Sequence, residues 1–388
     1  MKLKFIIVIL LSIPVLSPAQ EESELPVIIK KDSTHVGEVK IGNKSKFTPF
    51  IAPSLNPEVG VMLTAGGLFS FSLERLNTKL QRSSLPFSIG YSTNGSLNAS
   101  FRPAIFTRGD FYRISGDIWI KFMPDNYWGV GFDKARHPSK PDSTTAYHRD
   151  WTQVYIKVTR KIVENIYAGL LMDFNKTKAK ELNEHMMEDP DVEQDGTYVP
   201  NRGFGMVFQY DTRDMSTNAY KGVFLEFAPA FYGKFLGGQH VYQVISLDYR
   251  QYKTISRPGS TLAWQTKMRY GLNDIPWPEM SMIGTPMDLR GYRWGRYRDK
   301  TMLFGIVEYR YMFMRKRPRK DGNMMSRFGF VTWLATGTVA PSVREMTQWL
   351  PNAGLGIRFE VQHRMNARID FGIGNDSHAF YISFNEAF

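Results

Sequence analysis

The 388-residue chain contains no cysteine, which excludes disulfides, thiol catalysis and thiolate metal sites. Outside the N-terminus it lacks any apolar run near the ~18 residues that a membrane-spanning helix needs, and its mean hydropathy is −0.31, so a helical membrane bundle is excluded. Charge is also modest: charged residues make up 22% against 14% aromatics, a balance that argues against disorder. No Gly-x-Ser-x-Gly, phosphate loop or cofactor fingerprint is present, and the seven histidines show no metal-ligand spacing. An enzyme, a bound cofactor and a metal are therefore not expected.

What is present begins with Lys2 and Lys4, the apolar stretch Phe5 to Leu11, Pro14 and the small-residue site Ser17-Pro18-Ala19. This is the layout of a secretory signal peptide over 1–19, cut after Ala19. The absence of cysteine at that site excludes a lipoprotein anchor. Removing Lys2 and Lys4 takes the net charge from +12 to +10. In an exported chain such a balance points to anionic lipid headgroups or a charged lumen, and nucleic acid is excluded as a partner by compartment. Residues 20–46 are polar and lysine-rich, shorter than the roughly 40 residues of a self-folding unit, and are expected as a periplasmic tail.

From Phe47 to Phe388 the dominant pattern is alternation with period two. Val241, Ile245, Leu247 and Tyr249 share one face while Ser246, Asp248 and Arg250 share the other. Likewise Leu355, Ile357, Phe359 and Val361 oppose Arg358 and Glu360, and Ile369, Phe371 and Ile373 oppose Arg368 and Asp370. Strands are expected at 58–72, 84–93, 97–107, 111–122, 127–133, 149–161, 165–178, 202–213, 221–233, 239–254, 260–272, 300–313, 327–340, 351–363, 366–374 and 378–388, with no helix between them. Strands so many and so two-faced fit an all-β, 16-stranded antiparallel transmembrane β-barrel, which satisfies every backbone group in lipid. Thr93-Asn94-Gly95, Pro124-Asp125-Asn126 and Glu164-Asn165 are expected as periplasmic turns, and 134–148, 179–201 and 273–299 as long external loops. Trp119, Tyr127, Trp128, Trp151, Trp264 and Tyr270 are expected in interfacial girdles. The last strand puts Phe380, Ile382, Phe384 and Phe388 on one face, with Glu386 breaking the pattern.

Two further segments carry charge. Arg315-Lys316-Arg317-Pro318-Arg319-Lys320 is expected as a solvated periplasmic turn. The acidic stretch Glu181 to Asp195 lacks the ordered ligand spacing of a calcium loop.

Within 273–299, Leu289, Arg290, Gly291 and Tyr292 form a hydrophobic-Arg-Gly-aromatic motif. Gly305-Ile306-Val307-Glu308-Tyr309-Arg310 follows it, and Tyr210-Asp211-Thr212-Arg213-Asp214 with Lys221-Gly222 precedes it. In these motifs and their order the chain resembles the BamA/TamA superfamily of outer-membrane assembly proteins, also called the bacterial surface antigen family. The resemblance implies that the sixth external loop folds into the lumen, that Glu308 faces the lumen on the twelfth strand, and that 210–222 is the family's signature turn. Asn218-Ala219-Tyr220 replace that turn's usual proline. It also implies that the terminal aromatic row, ending in Phe388, is a signal read by the assembly machinery.

An arginine suits the task of holding a lumen loop, because its planar fork bonds carboxylates bidentately and stays charged. Arg290 is expected to pair with Glu308. The family's second carboxylate, in a Phe-x-Asp-x-Gly pattern, is replaced here by Trp333, Ala335 and Gly337, so the latch is expected to rest on Glu308 alone. The family's insertion or translocation of polypeptides at the seam between first and last strands is the expected function, without POTRA domains. Its partners would be outer-membrane lipid and client or accessory proteins, with the oligomeric state left open. A pore or structural barrel without insertase activity is the alternative.

Overall fold

The computed structural model describes residues 45–56, 60–74, 77, 80–136, 145–319, 324–375 and 377–388. The expected signal peptide and the tail up to residue 44 lie outside them. Alternating apolar and polar residues form strands here because each pleat can then present one face to each solvent. The strands are β1 (Lys46–Asn56), β2 (Gly60–Phe71), β3 (Ser83–Ser92), β4 (Leu97–Phe101), β5 (Ala104–Phe106), β6 (Tyr112–Asn126), β7 (Ala146–Val163), β8 (Ile166–Lys180) and β9 (Tyr198–Asp211). They continue as β10 (Gly222–Tyr232), β11 (Tyr242–Thr254), β12 (Ser260–Asn273), β13 (Ser281–Met282), β14 (Arg298–Asp299), β15 (Thr301–Met314), β16 (Met325–Ala340), β17 (Leu350–Gln362), β18 (Met365–Ile373) and β19 (His378–Phe384).

All but β13 and β14 belong to one antiparallel sheet of seventeen strands. The number exceeds the expected sixteen because Arg102 and Pro103 interrupt one course, leaving β4 and β5 as consecutive pieces between β3 and β6. Proline has no N–H to donate to the ladder.

Several sequence expectations change. β1 lies upstream of the expected first strand, so Gly60, Gly66 and Gly67 sit in the second strand. Residues 127–133 are not a strand, β6 runs straight through Pro124 to Asn126, and short helices stand at Phe132–Arg136, Glu184–Met187 and Pro190–Asp195. The turn at 93–96 therefore lies at the same end as the long loops 127–145, 181–197 and 274–300. The extra strand and the missing one cancel, so every later connection keeps its expected end; Glu164-Asn165 closes the opposite, turn end.

The two faces are inverted relative to a soluble protein. Outward residues are apolar and exposed, as with Leu355 at 61% and Ile357 at 57%, whereas inward Arg358 is 1% exposed and Asp370 0%. An apolar belt of that size is stable only against lipid. Only Trp264 and Tyr270 of the expected girdle stand on the outward side, opposite outward Val307 and Ile245. Trp119 and Trp151 flank the inward Lys121, with its ammonium 4.4 Å and 4.9 Å from their rings, because a long cation needs aromatic cover when it is drawn away from water. Tyr127 and Trp128 are buried under the external loops.

Ladders join chain neighbours from β1–β2 to β18–β19, and among the described residues none joins β1 to β19. Side chains span the edges instead. The Phe50 ring of β1 and the Phe384 ring of β19 lie 4.7 Å apart, and from β17 Gln362 donates to Thr48 Oγ1 of β1 at 2.8 Å and to the Leu68 carbonyl of β2 at 3.1 Å.

Candidate functional site

The loop 274–300 enters the barrel and is shaped by its own residues first. Asp288 Oδ1 accepts the N–H groups of Gly284, Thr285 and Leu289, and Oδ2 accepts the Thr285 hydroxyl at 2.6 Å. Burial holds the Asp288 carboxyl above its ordinary range, and these donors partly offset that cost. The turn they make presents Leu289 to Tyr292 to the wall.

Leu289 is fully buried, with its Cδ1 3.0 Å from where a side chain on Gly337 would begin. Arg290, also fully buried, reaches Glu308 on β15 with one nitrogen and Asp370 Oδ2 on β18 at 2.8 Å with another. Its guanidinium lies 3.6 Å from the Trp333 ring centroid. The second carboxylate thus exists, but on β18 rather than β16, where Ala335 stands at the expected acid's position and Trp333, at the pattern's aromatic, supplies a stacking face. Gly291, at φ +116°, lies backbone to backbone on β18, where a Cβ would come 2.7 Å from the Gly372 carbonyl oxygen. Only glycine fits both that conformation and that approach. Tyr381 Oη accepts the Gly291 N–H at 3.0 Å, and Tyr292 Oη donates to the Pro351 carbonyl at 2.6 Å.

Around this contact is a closed network. Asp370 also accepts from Arg358 at 2.6 Å and Arg368 at 3.2 Å, and Glu308 accepts from Arg310 at 2.8 Å. Arg368 donates to the Pro286 carbonyl of the loop at 2.9 Å. Residues 385–388 complete it, because after β19 they turn inward. Glu386 accepts from Arg358 at 2.9 Å and Asn366 at 2.7 Å, while the Phe388 carbonyl accepts from Arg310 at 3.1 Å. Phe388 is 5% exposed, with the Arg310 guanidinium 4.7 Å from its ring. The expected outward row is therefore Phe380, Ile382 and Phe384 only. Phe388 leaves it, because Glu386 is drawn to Arg358 and carries the chain inward.

The segment 211–222 spans the turn end. Asp211 accepts from Arg213 at 2.9 Å and 3.0 Å and from Arg113 at 2.7 Å. Asp214 accepts the Tyr220 N–H at 3.0 Å and Arg364 at 2.8 Å, and its own N–H bonds the Lys221 carbonyl just before Gly222 opens β10. Arg364 also stacks on Tyr220, 3.7 Å from the ring centroid, and the Ser216 N–H reaches Gln81 at 2.7 Å. Buried Asn218, Ala219 and Tyr220 thus hold the turn without a proline.

Residues 70–376 match the Omp85 superfamily domain. The chain belongs to the Omp85 superfamily. This Omp85 chain shares its fold with BamA from Haemophilus ducreyi lacking POTRA domains 1–3, at a TM-score of 0.50 and 13% identity, over 88% of this chain and 69% of that one. CdiB from Acinetobacter baumannii gives 0.52 and 14%, over 88% of this chain and 59% of that chain. No curated relative matches by sequence. Membership places the chain in the outer membrane, among proteins of assembly and transport rather than enzymes.

In this Omp85 barrel the loop also grips the opposite wall, which the sequence did not signal. Trp294 lies 5.7 Å from Trp151 and 4.4 Å from the Lys121 ammonium, and Arg298 donates to the Asn126 carbonyl at 3.3 Å. Asp370 had a signal in the alternation that put it on the lumen face. Nothing in one dimension indicated which loop residue it meets.

Proposed function

We propose that this barrel assembles or translocates outer-membrane polypeptides through a seam between β1 and β19, with Arg290 as the latch of the lumen loop. The observation that carries the reading is the Arg290 bridge between Glu308 on β15 and Asp370 on β18, one strand from the seam edge. A loop so held keeps the seam-side wall in one arrangement. Edges joined by side chains part at lower cost than edges joined by a ladder of backbone hydrogen bonds. Client or accessory outer-membrane proteins are the partners in this reading, and outer-membrane lipid surrounds the apolar belt. Export by a signal peptide cut after Ala19 belongs to the same proposal, and mass spectrometry of membrane-purified protein should find Gln20 at its start.

The chain has no cysteine, so Phe50→Cys with Phe384→Cys introduces the only thiol pair. Joined by oxidation or a short bifunctional maleimide in liposomes, the pair should abolish acceleration of client-barrel folding, and cleavage of the link should restore it. Unchanged acceleration in the linked protein defeats the seam. Strong ion conductance with no acceleration in the unlinked protein assigns a pore instead.

A further inference from the structure

Three external loops converge on a cluster that lies outside the latch. Asp195 ends the short helix Pro190–Asp195, His240 precedes β11, and Asp274 follows β12. One donor atom from each lies within 4.8 Å of the others. The sequence hides this grouping, since the three residues are separated by tens of positions and share no ligand spacing.

The arrangement is built rather than incidental. The Asp195 side chain is 4% exposed, and its Oδ2 is fixed by the Trp277 N–H at 2.7 Å. Trp277 is itself locked, its indole N–H donating to the Gly196 carbonyl at 3.1 Å between the Tyr127 and Tyr147 rings. That leaves Asp195 Oδ1 facing His240 Nδ1 at 3.7 Å, and Asp274 Oδ2 stands 3.5 Å from the same nitrogen. Gln194 steadies Asp274 by donating to Oδ1 at 3.1 Å. Separations of this size are too long for good hydrogen bonds. They match the roughly 3.3 Å between donors on a tetrahedral ion with bonds of about 2.0 Å. Among the described residues, Asp195 Oδ1 has no other partner, so a nearly buried carboxylate oxygen is aimed at the centre of the cluster.

We propose that Asp195, His240 and Asp274 bind one first-row divalent transition ion, with Zn²⁺ the best match, and so staple the loops 181–197, 233–241 and 274–300 at the barrel mouth. One imidazole and two carboxylates suit Zn²⁺, whereas Ca²⁺ takes six to eight oxygens. Two carboxylates and a neutral imidazole carry the two negative charges that a divalent ion neutralises. Asp274, with its side chain 58% exposed, leaves an entry path and a fourth position for water. The ion would hold the base of the same loop whose tip carries Arg290.

The test uses full-length protein in detergent, stripped with EDTA and titrated with ZnCl₂ by calorimetry. One Zn²⁺ should bind per chain, and His240→Ala and Asp195→Asn should each weaken binding at least tenfold, while Glu184→Gln in the same acidic loop leaves it unchanged. Folding of each variant is checked by heat-modifiable migration on gels. Should a variant fail to fold, Co²⁺ added to the unaltered protein should still give the intense visible absorption of a tetrahedral nitrogen and oxygen site. Zn²⁺ should also slow protease cleavage within 181–197. Absence of saturable Zn²⁺ binding, equal affinity in folded His240→Ala, or Ca²⁺ binding that survives His240→Ala while Zn²⁺ does not compete would each overturn the assignment. None of these readouts depends on client folding, so the seam and the metal site stand or fall separately.

Discussion

Arg290 bonds Asp370 at 2.8 Å across 80 residues of sequence, joining the tip of the lumen loop to the next-to-last strand. Glu308 alone would tie the loop to β15; with Asp370 the same guanidinium ties β15 to β18. Arg290→Ala leaves two buried carboxylates short of a partner, a loss of about 3–5 kcal/mol. The loop 274–300 should become cleavable by trypsin under conditions where the unaltered protein resists. Arg290→Lys should fall between, because an ammonium cannot fork to both acids. Full resistance in Glu308→Ala and Asp370→Asn together would remove the latch.

Gly372→Ala tests the backbone contact without changing charge. The added methyl would collide with the Arg290 carbonyl, so loop and strand must separate. A loss of more than about 1 kcal/mol is expected, read as a lower melting temperature in detergent together with faster loop proteolysis. A shift in melting temperature without any change in proteolysis would place the damage in β18 rather than at the loop.

Phe388→Ala distinguishes interior packing from an assembly signal. Phe388 packs beside Tyr252 and Arg310 inside the barrel, and its loss should cost about 3–5 kcal/mol in the refolded protein. Phe380→Ala, on the outward face, should leave that stability nearly unchanged. If Phe388→Ala instead lowers only the yield of barrel in membranes and leaves refolded stability intact, its role is in recognition.

Asp299, at the base of the loop, gives a pH dependence of definite sign. Burial raises its carboxyl to about 6, and the Lys300 N–H and charge offset this only in part. A folded pKa above the unfolded value means that the folded state holds the proton longer. The Asp299 contribution to stability should therefore fall as pH rises from about 4 to 6 and stay flat above. Asp299→Asn should remove that part of the slope and stabilise the protein at neutral pH by about 3 kcal/mol at most, measured as the difference from the unaltered protein in denaturant midpoints at the two ends of the range.

Much of the barrel was legible along the chain because a strand between lipid and lumen needs only local information. Alternation placed Arg358, Arg368 and Asp370 inward and Leu355, Ile357 and Ile369 outward, and the structure agrees at each. The same local logic misread Trp119 and Trp151, since aromatics near strand ends suit a girdle as well as a cover for Lys121. It also read Phe388 as the end of a regular strand, because periodicity carries no sign that Arg358 and Arg310 would draw 385–388 inward.

The sequence by itself determined the fold class, the two solvents of each strand and the loop motif at Leu289 to Tyr292, all of which depend on residues within a few positions of one another. Tertiary structure alone decided that Arg290 meets Asp370, that Trp294 meets Lys121, and that Asp195, His240 and Asp274 share one point. Those pairings arise where a sheet curls until remote strands and loops come within bonding distance, and charge and burial then select partners that no local pattern ranks.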